Sequence, residues 1–246
     1  MSMSCFFSYL IRFLLLSLSL WAGVSQAESL YLQQTKTVEI TEKMLAETLE
    51  KLQQSKIREL REPLAVAPFH KRQPVKPVVE ETFCSDCHGP LPHSKDERQR
   101  SFLNMHSRKV ACTTCHYRPE GITLDYAWYP TGDDPDKDES GRITPFHQGE
   151  LVAVPAVDPF AIELQRQWHL AALTVKARLH RRIHGPLEKD GPGCTDCHHQ
   201  DQRFLDLEAL GLKPEEIRSI RTNRIARFLG QKSPEGQQLQ LRDLLQ

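Results

Sequence analysis

The amino-acid sequence predicts a mainly α fold with long loops and little regular sheet. Apolar side chains recur at helical spacing in three segments, at 38–60, 159–184 and 214–229. Between the first two helices, residues 121–157 are rich in Pro and Asp, which argues against more than a short hairpin there. Three copies of a short cysteine and histidine motif interrupt the helical pattern. We therefore expect bound groups to contribute to the interior of the protein.

Residues 1–27 are predicted to be a signal peptide. Phe6 to Val24 is largely apolar, and Ser25-Gln26-Ala27 supplies the small residues of a cleavage site before Glu28. An uncleaved membrane anchor is the alternative, but Arg12 shortens the apolar run to about 12 residues, where a spanning helix needs about 20. Cleavage would also remove Cys5, so that no cysteine outside the three motifs remains. The sequence thus predicts export to an oxidising compartment.

Composition restricts the function without naming it. The chain of 246 residues has 32 basic and 32 acidic side chains, and no basic surface accumulates along it. This balance excludes a typical nucleic-acid-binding protein. After cleavage, about 219 residues would suffice for one domain or two small ones.

The Cys-x-x-Cys-His motif is the strongest chemical signal in the chain. The two thiols of such a motif add across the vinyl groups of a haem, and the next residue, His, ligates the iron. Two intervening residues let one backbone turn span the two vinyl groups. The sequence therefore predicts three covalent haem c groups, held by Cys84, Cys87 and His88, by Cys112, Cys115 and His116, and by Cys194, Cys197 and His198.

Two other uses of these cysteines deserve comparison. The four cysteines of the first two motifs could form a four-thiolate zinc site, whose two-residue spacing is the same. Zinc would leave the trailing histidines without a role and the third cysteine pair without partners. Three disulfides would also use six cysteines, but disulfide frameworks have no reason to repeat a trailing His. Covalent haem is the reading that uses every residue of the motif.

The first quarter of the exported chain is predicted to be a helix followed by a connector. An amphipathic helix at 38–60, within an N-terminal segment at 28–62, presents Leu45, Leu49 and Leu52 on one side, for packing on the core or on a partner. A Pro-rich connector at 63–80 should be extended.

A trihaem domain at 81–230 is predicted next, followed by a C-terminal tail at 231–246. It consists of a two-haem unit at 81–120 and a third haem with its helix at 158–200. In the intervening loop, Asp133 to Asp138 resembles the start of a calcium loop. Glu139 replaces the turn glycine, so a solvated acidic loop is favoured over a calcium site.

The helix before the third motif has clear boundaries. Asp158 can cap it, Pro159 suits its first turn, and Gly185-Pro186 should end it. Two short helices should follow the third motif, around 203–210 and 214–229.

The second axial ligand of each haem is predicted to be histidine. Only Met44 and Met105 remain after cleavage, so bis-His ligation and low potentials are expected for all three haems. Eight histidines lie outside the motifs. We favour His106, His93, His184 and His199 as distal ligands, and expect surface, propionate-binding or core roles for His70, His147, His169 and His180.

The motifs, His106 before Cys112, and the doubled His198-His199 resemble the class III multihaem cytochromes c of bacterial periplasms. The resemblance covers roughly residues 84–199. It implies a haem-organised multihaem cytochrome in the periplasm, and it implies that His199 ligates a neighbouring haem. The chain departs from the smallest members of that group in the long segment between its second and third motifs and in its additional helices. Membrane-anchored quinol-oxidising tetrahaem cytochromes are similar in their motifs, but have four haems and an uncleaved anchor.

Three functions are compatible with these features. The leading expectation is an electron carrier without catalytic residues, which relays electrons between redox partner proteins such as a reductase, a dehydrogenase or a membrane quinol-oxidising complex. Membrane association is expected only if the N-terminal segment stays uncleaved. The alternative is a multihaem reductase or oxidase subunit that acts on a small nitrogen or sulfur oxyanion at an open haem. A docking subunit that uses its N-terminal helix is the third.

Overall fold

The structure, a computed structural model, describes residues 28–55, 82–88, 92–93, 97–130, 141–201 and 204–230. Several predicted features lie outside these residues: the signal peptide, the connector, the acidic loop, His70, the C-terminal tail and the end of the 38–60 helix. Among the described residues, no helix is both long and apolar enough to cross a bilayer.

The described part of the chain is mainly α with one small sheet, which confirms the predicted fold class at that level. Its elements in chain order are α1 (Leu30–Thr37), α2 (Glu42–Gln54), α3 (Cys84–Cys87), α4 (Glu97–His106), α5 (Cys112–His116), β1 (Asp125–Tyr129), β2 (Arg142–His147), β3 (Glu150–Leu151), α6 (Pro159–Leu170), α7 (Leu173–His184), α8 (Cys194–His198), α9 (Pro214–Arg221) and α10 (Arg224–Gly230).

The N-terminal segment contains two helices where one was predicted. Ser29 caps α1, because its hydroxyl accepts a hydrogen bond from the Leu32 amide at 3.3 Å. Val38 is extended (ψ 116°) and ends α1. Thr41 then caps α2 through the Met44 amide at 3.3 Å. The predicted start at residue 38 was therefore wrong, and the cap-forming Thr41 is the local reason.

The long helix predicted over 159–184 is broken in the middle. It begins as expected, with the Asp158 carboxylate accepting from the Phe160 amide at 2.7 Å. Ala171 and Ala172 are extended, with ψ of 147° and 156°, and separate α6 from α7. Alanine favours helix, so the cause is tertiary. α7 packs along α2, and its Arg181 Nε donates to the Met44 carbonyl at 3.0 Å.

The predicted C-terminal helices also need correction. The helix expected at 214–229 is interrupted at Asn223, whose side chain accepts from the Ala226 amide at 2.9 Å and starts α10. The prediction of a helix around 203–210 was wrong, since the described residues 204–210 form turns. Leu205 and Leu207 are both buried, and two positions that differ by two cannot share one helix face.

The sheet extends the short hairpin that the sequence allowed. β1 pairs antiparallel with β2, from Asp125 opposite Phe146 to Tyr129 opposite Arg142. A third strand, β3, follows through a two-residue turn at Gln148 and Gly149. Both turn residues have positive φ (52° and 82°), the combination of a tight type I′ hairpin turn.

Two apolar clusters hold these elements together. The first joins α1, α6 and α7 to the segments that flank the first two motifs, and the Tyr31 hydroxyl donates to the Ile183 carbonyl inside it. The second joins β2 to the turns at 204–210 and to α9. Buried members of the first are Tyr31, Leu32, Phe83, Tyr117, Val152, Val154, Ala161, Leu164 and Ile183; those of the second are Ile143, Leu205, Leu207, Leu210 and Ile217.

Candidate functional site

Each cysteine motif forms one short helical turn, namely α3, α5 and α8. The second is fixed to the sheet, since the Ala111 amide and the Thr114 hydroxyl both donate to the Ile143 carbonyl, at 2.9 and 2.7 Å. The Phe83 amide, just before the first motif, donates to the Val154 carbonyl at 3.3 Å. Backbone contacts with the rest of the fold therefore fix these two turns in place.

The six motif cysteines, all among the described residues, are thiols that are not joined in disulfides. The Cys84 thiol is hydrogen-bonded to the Cys112 thiol, and this contact together with burial raises the pKa of Cys84. Burial raises the pKa of Cys115 to about 11 and that of Cys197 to about 12. These thiols are therefore protonated at neutral pH.

Each motif histidine faces one histidine from elsewhere in the chain. The ring centroids of the three pairs lie about 6 Å apart, and each pair joins a short motif turn to a different segment. The pairs are His88 with His184 (5.9 Å, ring planes at 71°), His116 with His93 (6.3 Å, 20°) and His198 with His106 (5.9 Å, 84°).

Hydrogen bonds at Nδ1 orient most of these rings. The motif histidines His116 and His198 have Nδ1 against the carbonyls of Glu188 and Ile220, at 2.9 and 2.7 Å. A carbonyl only accepts, so Nδ1 carries the proton in these rings, and Nε2 is left with a free lone pair.

Two of the non-motif histidines use their own helices in the same way. His106 and His184 are the last residues of α4 and α7. Their Nδ1 atoms lie 2.7 and 2.9 Å from the carbonyls of Phe102 and His180, four residues back. Nε2 is therefore the free nitrogen in both rings.

His93 differs in being held by a side chain. Its Nδ1 lies 3.1 Å from Oδ1 of Asn104, a buried residue of α4. Burial lowers the pKa of His93, and burial likewise lowers the pKa values of His88 and His184. Neutral imidazole is the form that ligates metals, so these shifts favour metal binding.

The second histidine pair lies close enough to both of the others to interact with them electrostatically. After burial, the next causes that lower the pKa of His88 are His116 and His93, both of the second pair. His106 of the third pair in turn lowers the pKa of His93. Cys115 of the second motif also raises the pKa of Cys197 in the third. The second pair and its motif thus interact with both of the others.

The structure does not bring His199 into this set. Its side chain is 51 % exposed, and its Nδ1 lies 3.7 Å from the Asp201 carboxylate. All three motif histidines have other partners. His147 meets the Thr123 carbonyl at 3.3 Å, and His169 is exposed. His180 stacks on His184 with ring centroids 4.0 Å apart, and burial lowers its pKa to about 4.

Sequence reasoning missed Asn104, and nothing in the sequence pattern singled it out. It is one of only two asparagines in the chain, and it lies two residues before His106. Single helical asparagines are common on surfaces, so the signal for its role is its burial in the folded protein.

The described residues contain no group of three or more His, Cys, Asp or Glu side chains placed to hold one metal ion. The four thiols of the first two motifs are among these residues. Donors instead come in opposed pairs of imidazoles. Comparison of the chain with protein-family models, curated proteins and solved structures found no match.

Proposed function

We propose that the chain is a periplasmic trihaem c-type cytochrome that relays electrons between redox partner proteins through bis-His haems. The three histidine pairs carry the proposal. An imidazole nitrogen ligates a transition metal at about 2.0–2.1 Å and lies roughly 1.1 Å from its ring centre, so two rings on opposite sides of one metal have centroids about 6.2–6.4 Å apart. The observed separation of 6.3 Å for His116 and His93 falls in this range, and the two separations of 5.9 Å lie about 0.3 Å below it.

The donor set also fits haem c in its chemistry. Each pair includes the histidine of one Cys-x-x-Cys-His turn, whose two thiols are in reduced form and can attach a haem covalently. His88 and His184 would hold the first haem, His116 and His93 the second, and His198 and His106 the third. Haem c supplies a centre that gains and loses one electron at a time. The chain's own residues hold, orient and bury it.

The arrangement favours a relay over an enzyme. A reductase or oxidase subunit needs one motif histidine without an opposing side chain, and each of the three has an opposing imidazole. The interactions of the second pair with both others support a linear order with the second haem in the middle. The redox partners would exchange electrons at the two ends.

The test begins with the full chain, expressed in a bacterium that attaches haem c in its periplasm. We expect loss of residues 1–27, a mass increase equal to three haems, and low-spin spectra that carbon monoxide does not change. A protein without covalent haem, or with bound zinc, overturns the proposal. Stoichiometric carbon monoxide binding by the reduced protein would instead support the enzyme alternative.

Histidine substitutions then test the ligand pairs. His93→Ala, His106→Ala and His184→Ala should each convert one of three haems to a high-spin or carbon-monoxide-binding form. His199→Ala and His147→Ala are matched controls that should keep three low-spin haems. If His199→Ala opens a haem while one of the first three does not, the proposed pairing is wrong.

A further inference from the structure

Asn104 makes an unusually complete set of contacts with His93. Its Oδ1 accepts from the His93 amide at 3.1 Å and lies 3.1 Å from His93 Nδ1. Its Nδ2 donates to the His93 carbonyl, also at 3.1 Å. The residue is 7 % exposed. The Asn104 side chain thus hydrogen-bonds to both the backbone and the ring of His93.

These contacts fix the side-chain orientation and the proton position. If the Asn104 amide were flipped, its NH₂ group would face an N–H and its oxygen would face a carbonyl. The observed orientation leaves only an acceptor for His93 Nδ1, so that nitrogen carries the proton. Nε2 therefore keeps its lone pair, and the ring centroid of His116 lies 6.3 Å from that of His93.

His93 is the exception among the oriented rings. His106, His116, His184 and His198 all have Nδ1 against backbone carbonyls. A backbone carbonyl remains whatever side chain is substituted, whereas the acceptor for His93 is a side chain. His93 also lies outside any helix, so its own backbone does not hold it as α4 and α7 hold His106 and His184.

We infer that Asn104 is the positioning residue of the second haem: it holds His93 as the distal ligand and sets how strongly that imidazole donates to the metal. The inference rests on the proposed function. Groups that accept from the second nitrogen of a ligating histidine fix its tautomer and raise its basicity, and their loss typically costs about 10–100-fold in metal affinity. A neutral amide is a weaker acceptor than a carboxylate, so Asn104 gives moderate basicity.

Asn104 also lies on the helix that ends in His106, the partner of His198. The same helix therefore supports the distal ligands of the second and third pairs. Loss of the Asn104 side chain should disturb His93 first, because His106 keeps its bond to the Phe102 carbonyl. An effect confined to one haem distinguishes positioning of His93 from general disruption of α4.

The experiment measures the three reduction potentials of the haem-loaded full chain by spectroelectrochemical titration. Asn104→Asp should lower one potential, because a carboxylate acceptor strengthens donation and favours the oxidised metal. Asn104→Leu should raise the same potential, and about 10–100-fold weaker ligation should let carbon monoxide bind one haem. Asn223→Asp, at the chain's only other asparagine, adds the same charge near the third motif, because the Asn223 amide donates to the Ile220 carbonyl that accepts from His198. As a control for charge alone, it should leave unchanged the potential that Asn104→Asp lowers.

Failure of this inference is distinguishable from failure of the proposed function. If His93→Ala opens one haem but both Asn104 variants keep the wild-type potentials and carbon monoxide response, Asn104 has no positioning role. If His93→Ala leaves three low-spin haems, the proposed pairing itself is wrong. Should Asn104→Leu fail to accumulate, Asn104→Asp alone decides, because a shift of one potential supports the inference and no shift overturns it.

Discussion

Removing one hydroxyl from each of two neighbouring tyrosines should change stability in opposite directions. Tyr31 and Tyr117 are both essentially fully buried, and their rings meet edge to face with centroids 5.6 Å apart. The Tyr31 hydroxyl donates to the Ile183 carbonyl, whereas the buried Tyr117 hydroxyl has no hydrogen-bond partner among the described residues. Substitution by Phe keeps both rings and removes only the two oxygens.

The sizes of the two effects follow from the hydrogen bonds. Ile183 is in the last turn of α7, where carbonyls lack intrahelical partners. Tyr31→Phe leaves that carbonyl buried and unpaired, which should lower the free energy of unfolding by about 1–3 kcal/mol. Tyr117→Phe removes an unsatisfied buried hydroxyl, so it should be neutral or should raise that free energy by about 1 kcal/mol.

The assay is denaturant unfolding of the haem-loaded protein, followed by far-ultraviolet circular dichroism at pH 7. Burial raises the pKa of Tyr117 to about 12, and burial with the nearby Cys84 raises that of Tyr31 well above its ordinary value. Both hydroxyls are therefore protonated, and ionisation does not contribute to the comparison. Equal destabilisation by the two substitutions would falsify this reasoning, since within the described part of the chain only the Tyr31 hydroxyl has a partner to lose.

Three further outcomes are expected. In the ferric protein, the haem between the nearly parallel rings of His93 and His116 should give one well-resolved rhombic electron paramagnetic resonance signal. The haems of the two steeply crossed pairs should give strongly anisotropic signals. Three similar signals would contradict this geometry. Burial and His184 lower the pKa of His180 to about 4, below its ordinary 6.5, so the unfolded chain binds this proton first. Stability should therefore fall as pH drops from about 6.5 to about 4, and an unchanged slope in His180→Gln would count against this origin. Gly185→Ala should lower the free energy of unfolding by about 1–3 kcal/mol, because a Cβ would lie 2.6 Å from both methyls of Val38. The double variant with Val38→Ala should recover part of this loss in the same denaturation assay.

The helices were predictable where local chemistry decides them. Asp158 and Pro159 correctly marked the start of α6, because a carboxylate cap and a proline in the first turn act within a few residues. The break at Ala171 and Ala172 was not predictable, since alanine has no local reason to leave a helix. It arises from packing of α7 on α2, which depends on residues more than a hundred positions away.

Three of the four histidines that the sequence favoured as distal ligands lie opposite a motif histidine in the structure, but the sequence did not indicate which motif each one meets. His93, His106 and His184 stood out because they lie near the motifs, and the structure places each opposite a motif histidine. Proximity in sequence did not indicate the partner. His106, six residues before Cys112, meets the third motif rather than the second, because α4 presents its C-terminal end to α8. The family resemblance favoured His199, which the structure places beside Asp201 instead.

The three pairs also differ in how the fold supports them, and this difference should affect how easily each haem is reduced. His184 and His106 occupy the C-terminal ends of α7 and α4, where the helix carries partial negative charge. That charge favours the oxidised form of a metal held there, and at His184 the nearby Arg181 guanidinium acts against it. His93 has no such helix and depends on the neutral amide of Asn104. If the second haem is the middle of the relay, these supports make it easier to reduce than the two haems beside it. An electron entering at either end would then reach the middle haem in a favourable step and leave it in an unfavourable one, so the strength of the single hydrogen-bond acceptor at His93 Nδ1 adjusts electron flow through all three haems.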